Sequence, residues 1–291
     1  MEQMPVLPEL PWDSFGPQLR LILQATFNKL EREWPAKWRD LGGAAAVLGS
    51  FARVIHNSFH TIVVLSFDRP EYPLTTEDSL SVPPIIRTLI DILFSTIFLL
   101  ENLPTRSTQY FKGGWRENAE ELQRIVARYG QDPDWTEWIA GFRAYLEQAA
   151  DIYGITAEER ANPQKLPYWP IPSRILKDTS LAPDRLALLR HLYDWYYKHL
   201  SAESHLSPSG LAMRVGALLP AQDQELRDWR LAKQRSDQVT AASLIALAFA
   251  TEIDIAFEYG LKPRLVYIWT LLAQHVGMAR ELYDPWYKNR V

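Results

Sequence analysis

The chain has 291 residues, of which 47% are hydrophobic and 23% charged, and its formal net charge is −4. That balance excludes extensive disorder and supplies enough apolar material for a sizeable core, while the net acidity does not favour nucleic acid as a partner. There are no cysteines, which excludes disulfides, thiolate metal ligands and a cysteine nucleophile and fits a cytoplasmic protein.

The opening MEQMPVLPELPWD has neither the basic nor the apolar region of a signal peptide, so none is expected. A first helix is expected over Ser14 to Trp34, opened by WDS and stopped by Pro35. Gly43 to Phe67 is a second, and Pro84 to Asn102 a third, with proline in its first turn. Arg106 to Tyr129 ends at Gly130, and Pro133 to Tyr153 runs from Asp132 to Gly154. Pro183 to Glu203, Gly210 to Leu219, Asp237 to Tyr259 and Pro263 to Tyr283 complete the set. The expected architecture is all-α, a single large bundle of about nine helices joined by proline-rich loops. Residues 1–42 read as an N-terminal helical extension and 43–291 as the bundle domain, or the two as one continuous domain. No internal repeat stands out.

Of the loops, NPQKLPYWPIPSR reads as an extended strap carrying Tyr168 and Trp169 over the bundle, and Gly113-Gly114 as a turn. IIRTLIDILFSTIFLLEN and VTAASLIALAFATEIDIAFEYG are the most apolar segments, but Arg87, Asp91, Glu252 and Asp254 interrupt them. Such charges are costly in lipid, so both read as buried core helices and no membrane is expected as a partner. The eleven tryptophans and thirteen tyrosines read as core and interface aromatics.

Arg87 and Asp91 stand four apart on one of those helices, sharing a face with Phe94 and Phe98. A charged pair there must be partnered, either as a tie between helices or as the floor of a pocket. Tyr197, Ser201 and His205 follow one another at four-residue steps, so they form one helix edge that could carry a hydrogen-bonded relay. The plainer alternative is a helix corner locked by His205 and capped by Ser201. His56 and His60 have the spacing that lets two imidazoles reach one metal, with a third ligand to come from His205, Asp91 or Glu203. Arg227, Arg230, Lys233 and Arg235 form a basic stripe that reads as a solvated face, with contact to phosphate or an acidic partner as the alternative.

R-x-x-x-D on an apolar helix, followed far downstream by Y-x-x-L-S-x-x-x-H, resembles a bacterial all-helical family of uncharacterised proteins. The matching residues are Arg87, Asp91, Tyr197, Leu200, Ser201 and His205, and Asp91 departs from the family's Glu. The resemblance implies a helical bundle in which Arg, acid and His are drawn together from distant segments. The segments Arg53 to His60 and Arg185 to His191 are similar to the R-x(4–6)-H helix of defence ribonucleases of the higher-eukaryote-and-prokaryote nucleotide-binding type. Val54 and Leu186 stand where that motif carries a polar residue.

No phosphate-binding, dinucleotide or nucleophile-elbow signature is present, and no cofactor is expected. The leading expectation is an interaction or accessory protein of a bacterial system. It would have a buried Arg87, Asp91 and His205 pocket and an aromatic-rich surface for a protein partner or a second copy. The alternative is a metal-independent ribonuclease or other phosphodiester-cleaving defence effector. There His205 would act as acid or base, Arg87 would meet the phosphate, and Tyr197 or Ser201 would position the substrate.

Overall fold

Proline and glycine set most of the helix ends in this chain. The computed structural model describes residues 12–36, 42–67, 81–198, 224–288 and 290. Among them it is all-α, with no strand and eleven α-helices. These are α1 (Trp12–Arg32), α2 (Gly42–Ser66), α3 (Val82–Glu101), α4 (Leu103–Tyr129), α5 (Thr136–Ile152), α6 (Ala157–Ala161), α7 (Pro172–Ile175), α8 (Pro183–Leu192), α9 (Gln224–Phe257), α10 (Lys262–His275) and α11 (Gly277–Leu282). The described residues fall into two compact units, residues 1–100 with 176–291 and residues 101–175. The expected helix at Gly210 to Leu219 lies outside the described residues.

In the first unit, α1, α2, α9 and α10 pack on one another. Helix α1, expected as an extension, is part of this packing. Its Phe15, Leu19 and Ile22 are fully buried, and Trp12 sits 5.1–6.1 Å from the rings of Phe15, Phe59 and Phe67. Helices α3 and α9 are long and apolar enough to cross a membrane, and 67% and 89% of their most apolar windows are buried inside the protein. Residues Val239 to Ile253 of α9 are buried without a break. Such all-round burial is what a central helix of a soluble core requires.

Three boundaries differ from expectation. Helix α9 begins at Gln224 rather than Asp237, so the basic stripe is its first turns, where Lys233 pairs with Asp237 at 2.6 Å. The expected helix from Pro263 to Tyr283 breaks at Val276, whose backbone is extended. The helix expected from Pro183 changes pitch after Leu192, into a π turn at Tyr193–Tyr197.

The second unit is an α4–α5 hairpin with a strap. Its core is Trp115, Ala119, Leu146, Ala149, Ala150, Ile155 and Leu166, and the Trp115 indole donates to the Leu146 carbonyl at 2.9 Å. The segment 162–174 lies along α4 as a strap. Trp169 meets Tyr110 edge-on at 4.9 Å, the Arg116 guanidinium lies 3.7 Å over the Tyr168 ring, and Tyr168 donates to Glu120 at 2.5 Å. Gly113-Gly114 is not a turn: both residues lie inside α4. A Cβ at Gly113 would stand 2.8 Å from the Trp169 backbone nitrogen and 3.3 Å from the Pro167 carbonyl oxygen, so the close strap demands glycine there. A Cβ at Gly114 would meet nothing within 4 Å.

The two adjacent glycines should therefore respond oppositely to the same change. Gly113→Ala drives a methyl group into the strap backbone and should destabilise the protein by about 1–3 kcal/mol. Gly114→Ala should stabilise it by roughly 0.5–1 kcal/mol through helix propensity. Thermal and denaturant unfolding of the two variants reads both signs, and a shift in the same direction for both would contradict the strap geometry.

Candidate functional site

Arg87 and Asp91 lie one turn apart on α3, in an otherwise apolar run. The Arg87 guanidinium donates to the Tyr197 hydroxyl at 2.6 Å, across 110 residues of sequence, and lies over the Tyr197 ring at 4.6 Å. Its Nε stands 3.8 Å from an Asp91 oxygen, and the Tyr197 phenol is close enough to the Asp91 carboxylate to favour its charged form. Phe94 and Tyr193 flank the Tyr197 ring at 6.3 and 5.0 Å. Arg87, Asp91 and Tyr197 thus converge. Burial raises the Asp91 pKa, against the opposing pull of Arg87 and Tyr197. Burial raises Tyr197 as well, with Asp91 adding to the shift. Ser201 and His205, the other two expected members, lie outside the described residues, as do Leu200 and Glu203.

A second cluster of the same chemistry was not anticipated. Glu252 has no solvent exposure, and Arg290 reaches its two oxygens at 3.1 and 3.4 Å while Arg185 reaches one at 3.3 Å. Asp184 stands 3.8 Å from Arg290. The Tyr287 ring is fully buried beside them, stacked on Trp269 at 4.8 Å. Its phenol is raised well above its ordinary pKa, first by burial and then by the Glu252 carboxylate. The other acid in that apolar run, Asp254, accepts from the Leu261 backbone N–H at 3.0 Å. The signal was present in the sequence as a glutamate inside a long apolar run, since a buried carboxylate must find cations.

The two clusters are built on one repeated sequence. RHLYDWYYK, residues 190–198, and RELYDPWYK, residues 280–288, share R-x-L-Y-D-x-x-Y-K, a repeat the sequence reading overlooked. Both form a helix that widens into a π turn, Tyr193–Tyr197 and Tyr283–Tyr287, with the lysine N–H returning to the carbonyl of the first tyrosine. In each, that lysine pairs with the aspartate four residues back, at 2.5 Å for Lys198–Asp194 and 3.4 Å for Lys288–Asp284. In each, the last tyrosine, Tyr197 or Tyr287, is the one that meets an arginine–carboxylate pair.

The two copies also face each other. His191 and Glu281, at equivalent positions, stand 3.8 Å apart. His191 packs on Trp286 at 5.3 Å, and in the reciprocal place the Glu281 carboxylate acts on Tyr196, which burial and Asp237 also push up. Such exchange of equivalent contacts is the mark of a two-fold arrangement. Burial depresses the His191 pKa, with Glu281 and Asp194 opposing it.

His56 points Nδ1 at Asn57, 3.2 Å away; among the described residues no third His, Asp or Glu joins it and His60 around a metal position, and the candidate ligands His205 and Glu203 lie outside the described residues. Arg53 pairs with Glu31 of α1 at 2.9 Å and lies over Phe27, so it is turned to the neighbouring helix. Arg185 is drawn to Glu252 while His191 is drawn to Glu281, which separates the partners of that Arg–His motif.

Exposed aromatic rings occur on both units, Trp195 and Tyr267 on the first and Trp138 and Tyr145 on the second. Along α5, Trp138, Tyr145 and Ile152 are 46%, 49% and 70% exposed. A chain of ring contacts runs Tyr129–Trp135–Trp138–Phe142–Tyr145 at 4.3–5.9 Å. Beside Tyr145 a cleft of ≈ 140 Å³ opens between α4 and α5, lined by Tyr110, Gly114, Asn118 and Tyr153 among others. No protein-family model matches the chain, and no curated protein or solved structure matches it either.

Two measurements test the clusters. Glu252→Ala leaves Arg185 and Arg290 without their shared carboxylate and should cost about 3–5 kcal/mol in denaturant unfolding. For Asp91 the folded-state pKa is raised, so its ionised form opposes folding. That penalty is absent below the unfolded pKa of 3.8 and complete above the folded value. Asp91→Asn should accordingly raise the melting temperature at pH 7, and the difference from the parent protein should vanish as the pH falls below that of the free carboxyl.

Proposed function

We propose that this chain is an interaction protein of a bacterial system. Its second unit binds a partner protein through the outer side of the α4–α5 hairpin, and its first unit is a scaffold locked by arginine–carboxylate–tyrosine clusters. The observation that carries this reading is the row Trp138, Tyr145 and Ile152, exposed on one helix edge. Large aromatic side chains gathered in an exposed row mark an interface more often than a plain solvated surface. The arginines near the buried tyrosines support the scaffold role, because each is already engaged by a carboxylate of its own chain. A cytoplasmic setting fits the absence of cysteine.

A second reading, a metal-independent phosphodiester-cleaving effector, draws support from the convergence of Arg87, Asp91 and Tyr197. The Tyr197 ring under the Arg87 guanidinium counts against it, since an arginine that meets phosphate needs an open face.

The test places a photo-crosslinking residue at Gln148, beside Tyr145, and a control at Lys262 in the first unit, both in living cells. The expected result is a discrete adduct from position 148 alone, lost when Trp138→Asp and Tyr145→Asp are added to a chain that keeps its helical circular dichroism. No adduct, or equal adducts from both positions, would overturn the reading. Incubation of the parent protein and His205→Ala with mixed RNA tests the second reading, which requires cleavage by the first and none by the second.

A further inference from the structure

Glycine inside a helix lowers its stability, so a glycine that the chain's own packing does not require calls for another reason. Gly114 on α4 and Gly141 on α5 are such residues: a Cβ built on either meets nothing within 4 Å. Gly114 lines the α4–α5 cleft together with Tyr145. At 100° per residue Gly141 falls on the same edge of α5 as Trp138, Tyr145 and Ile152. The outer side of the hairpin therefore has bare backbone beside protruding aromatic rings, the hole-and-knob relief that a third helix fills. The Trp138, Tyr145 and Ile152 spacing repeats every seven residues, the period of a helix–helix seam.

Charge decides what kind of helix fits. Glu117 of α4, with Asp134 and Glu137 at the start of α5, is exposed on the rim, and none of the three has an ion partner among the described residues. Pairing with a second copy is disfavoured. An antiparallel pair centred on Tyr145 brings Glu137 of one copy close to Asp151 of the other, like charge against like.

Resting on the reading of this face as the partner-binding surface, we infer that the α4–α5 groove receives an amphipathic helix of a partner protein. Its apolar stripe packs over Gly114, Gly141 and Tyr145, and its Lys or Arg flanks face Glu117, Asp134 and Glu137. Lysine and arginine side chains also cover the Trp135 and Trp138 rings through cation–π contact.

The test uses a fluorescent synthetic amphipathic helix of leucine and lysine, a twin with glutamate in place of lysine, and a lysine peptide of scrambled order. Anisotropy titration of the full chain should show the leucine–lysine helix bound at least about tenfold more tightly than either control. Gly141→Leu fills the groove with a better helix former, so the protein stays folded while affinity for the probe falls about tenfold or more. The set Glu117→Gln, Asp134→Asn and Glu137→Gln should erase the preference for lysine over glutamate. Equal binding of all peptides, or unchanged affinity in Gly141→Leu, overturns the inference. So does self-association in sedimentation velocity that Gly141→Leu abolishes, which would make the occupant a second copy. If no peptide binds yet crosslinking at position 148 still gives a specific adduct, the basic helix is wrong and the partner-binding reading stands. Absence of both removes both.

Discussion

A single carboxylate inside an apolar helix organises the first unit. Glu252 lies in the fully buried stretch of α9, where an unpartnered ion would not be tolerated. Its counter-ions come from opposite ends of a repeated element: Arg185 from the start of α8, and Arg290 just beyond the second π turn. Satisfying one charge therefore fixes one helix and the chain beyond a π turn against the central helix. A hydrophobic residue at position 252 would pack, but it would give those arginines nothing to find, so the ionic solution specifies an arrangement that apolar burial alone leaves open.

The π turns follow from the same demand. Each helix must present its last tyrosine to an arginine–carboxylate pair while keeping its lysine on the aspartate one turn back. The wider turn, in which the lysine N–H reaches the carbonyl five residues earlier, lets the ring swing under the guanidinium or against Trp269. Single π turns are uncommon, and they collect where a side chain must be aimed. Two in one chain, on the same R-x-L-Y-D-x-x-Y-K sequence, make that aim a shared property of the repeat. The copies differ in what they reach. Tyr287 ends in a sealed core with two arginines, and Tyr197 ends beside a half-exposed Asp91. The same local device thus serves a dry lock in one place and a partly open one in the other.

Helix class and most helix positions were legible because proline, glycine and capping residues punctuate the chain, and because the apolar periods are long. Arg87 and Asp91 were legible as a pair in need of a partner because charges in an apolar helix must be satisfied, and Tyr197 was tied to them only by a resemblance. What the sequence concealed has physical causes. Glu252's arginines stand 67 and 38 residues away, and no local pattern announces such a meeting. The first π turn carries no helix breaker, so the 3.6-residue period hides its extra residue, whereas Pro285 inside the second was a local sign of irregular pitch. Gly113 read as a turn because the strap that presses on it belongs to another part of the chain. The role of Gly114 is the reverse case, a glycine with no neighbour to explain it.

The second unit illustrates how an apolar surplus can be read. Helix α5 buries Ile139, Leu146, Ala149 and Ala150 against α4, which is enough to hold a hairpin. Trp138, Tyr145 and Ile152 extend that face sideways, past the point where α4 covers it. Had the chain needed only its own core, those positions could be polar and the two open glycines could be alanine, both changes favouring the free protein. The unit instead carries exposed aromatic area and two helices that each have one bare glycine, Gly114 in the α4–α5 cleft and Gly141 on the exposed edge of α5. Those two costs are what support the proposal that this surface receives a partner.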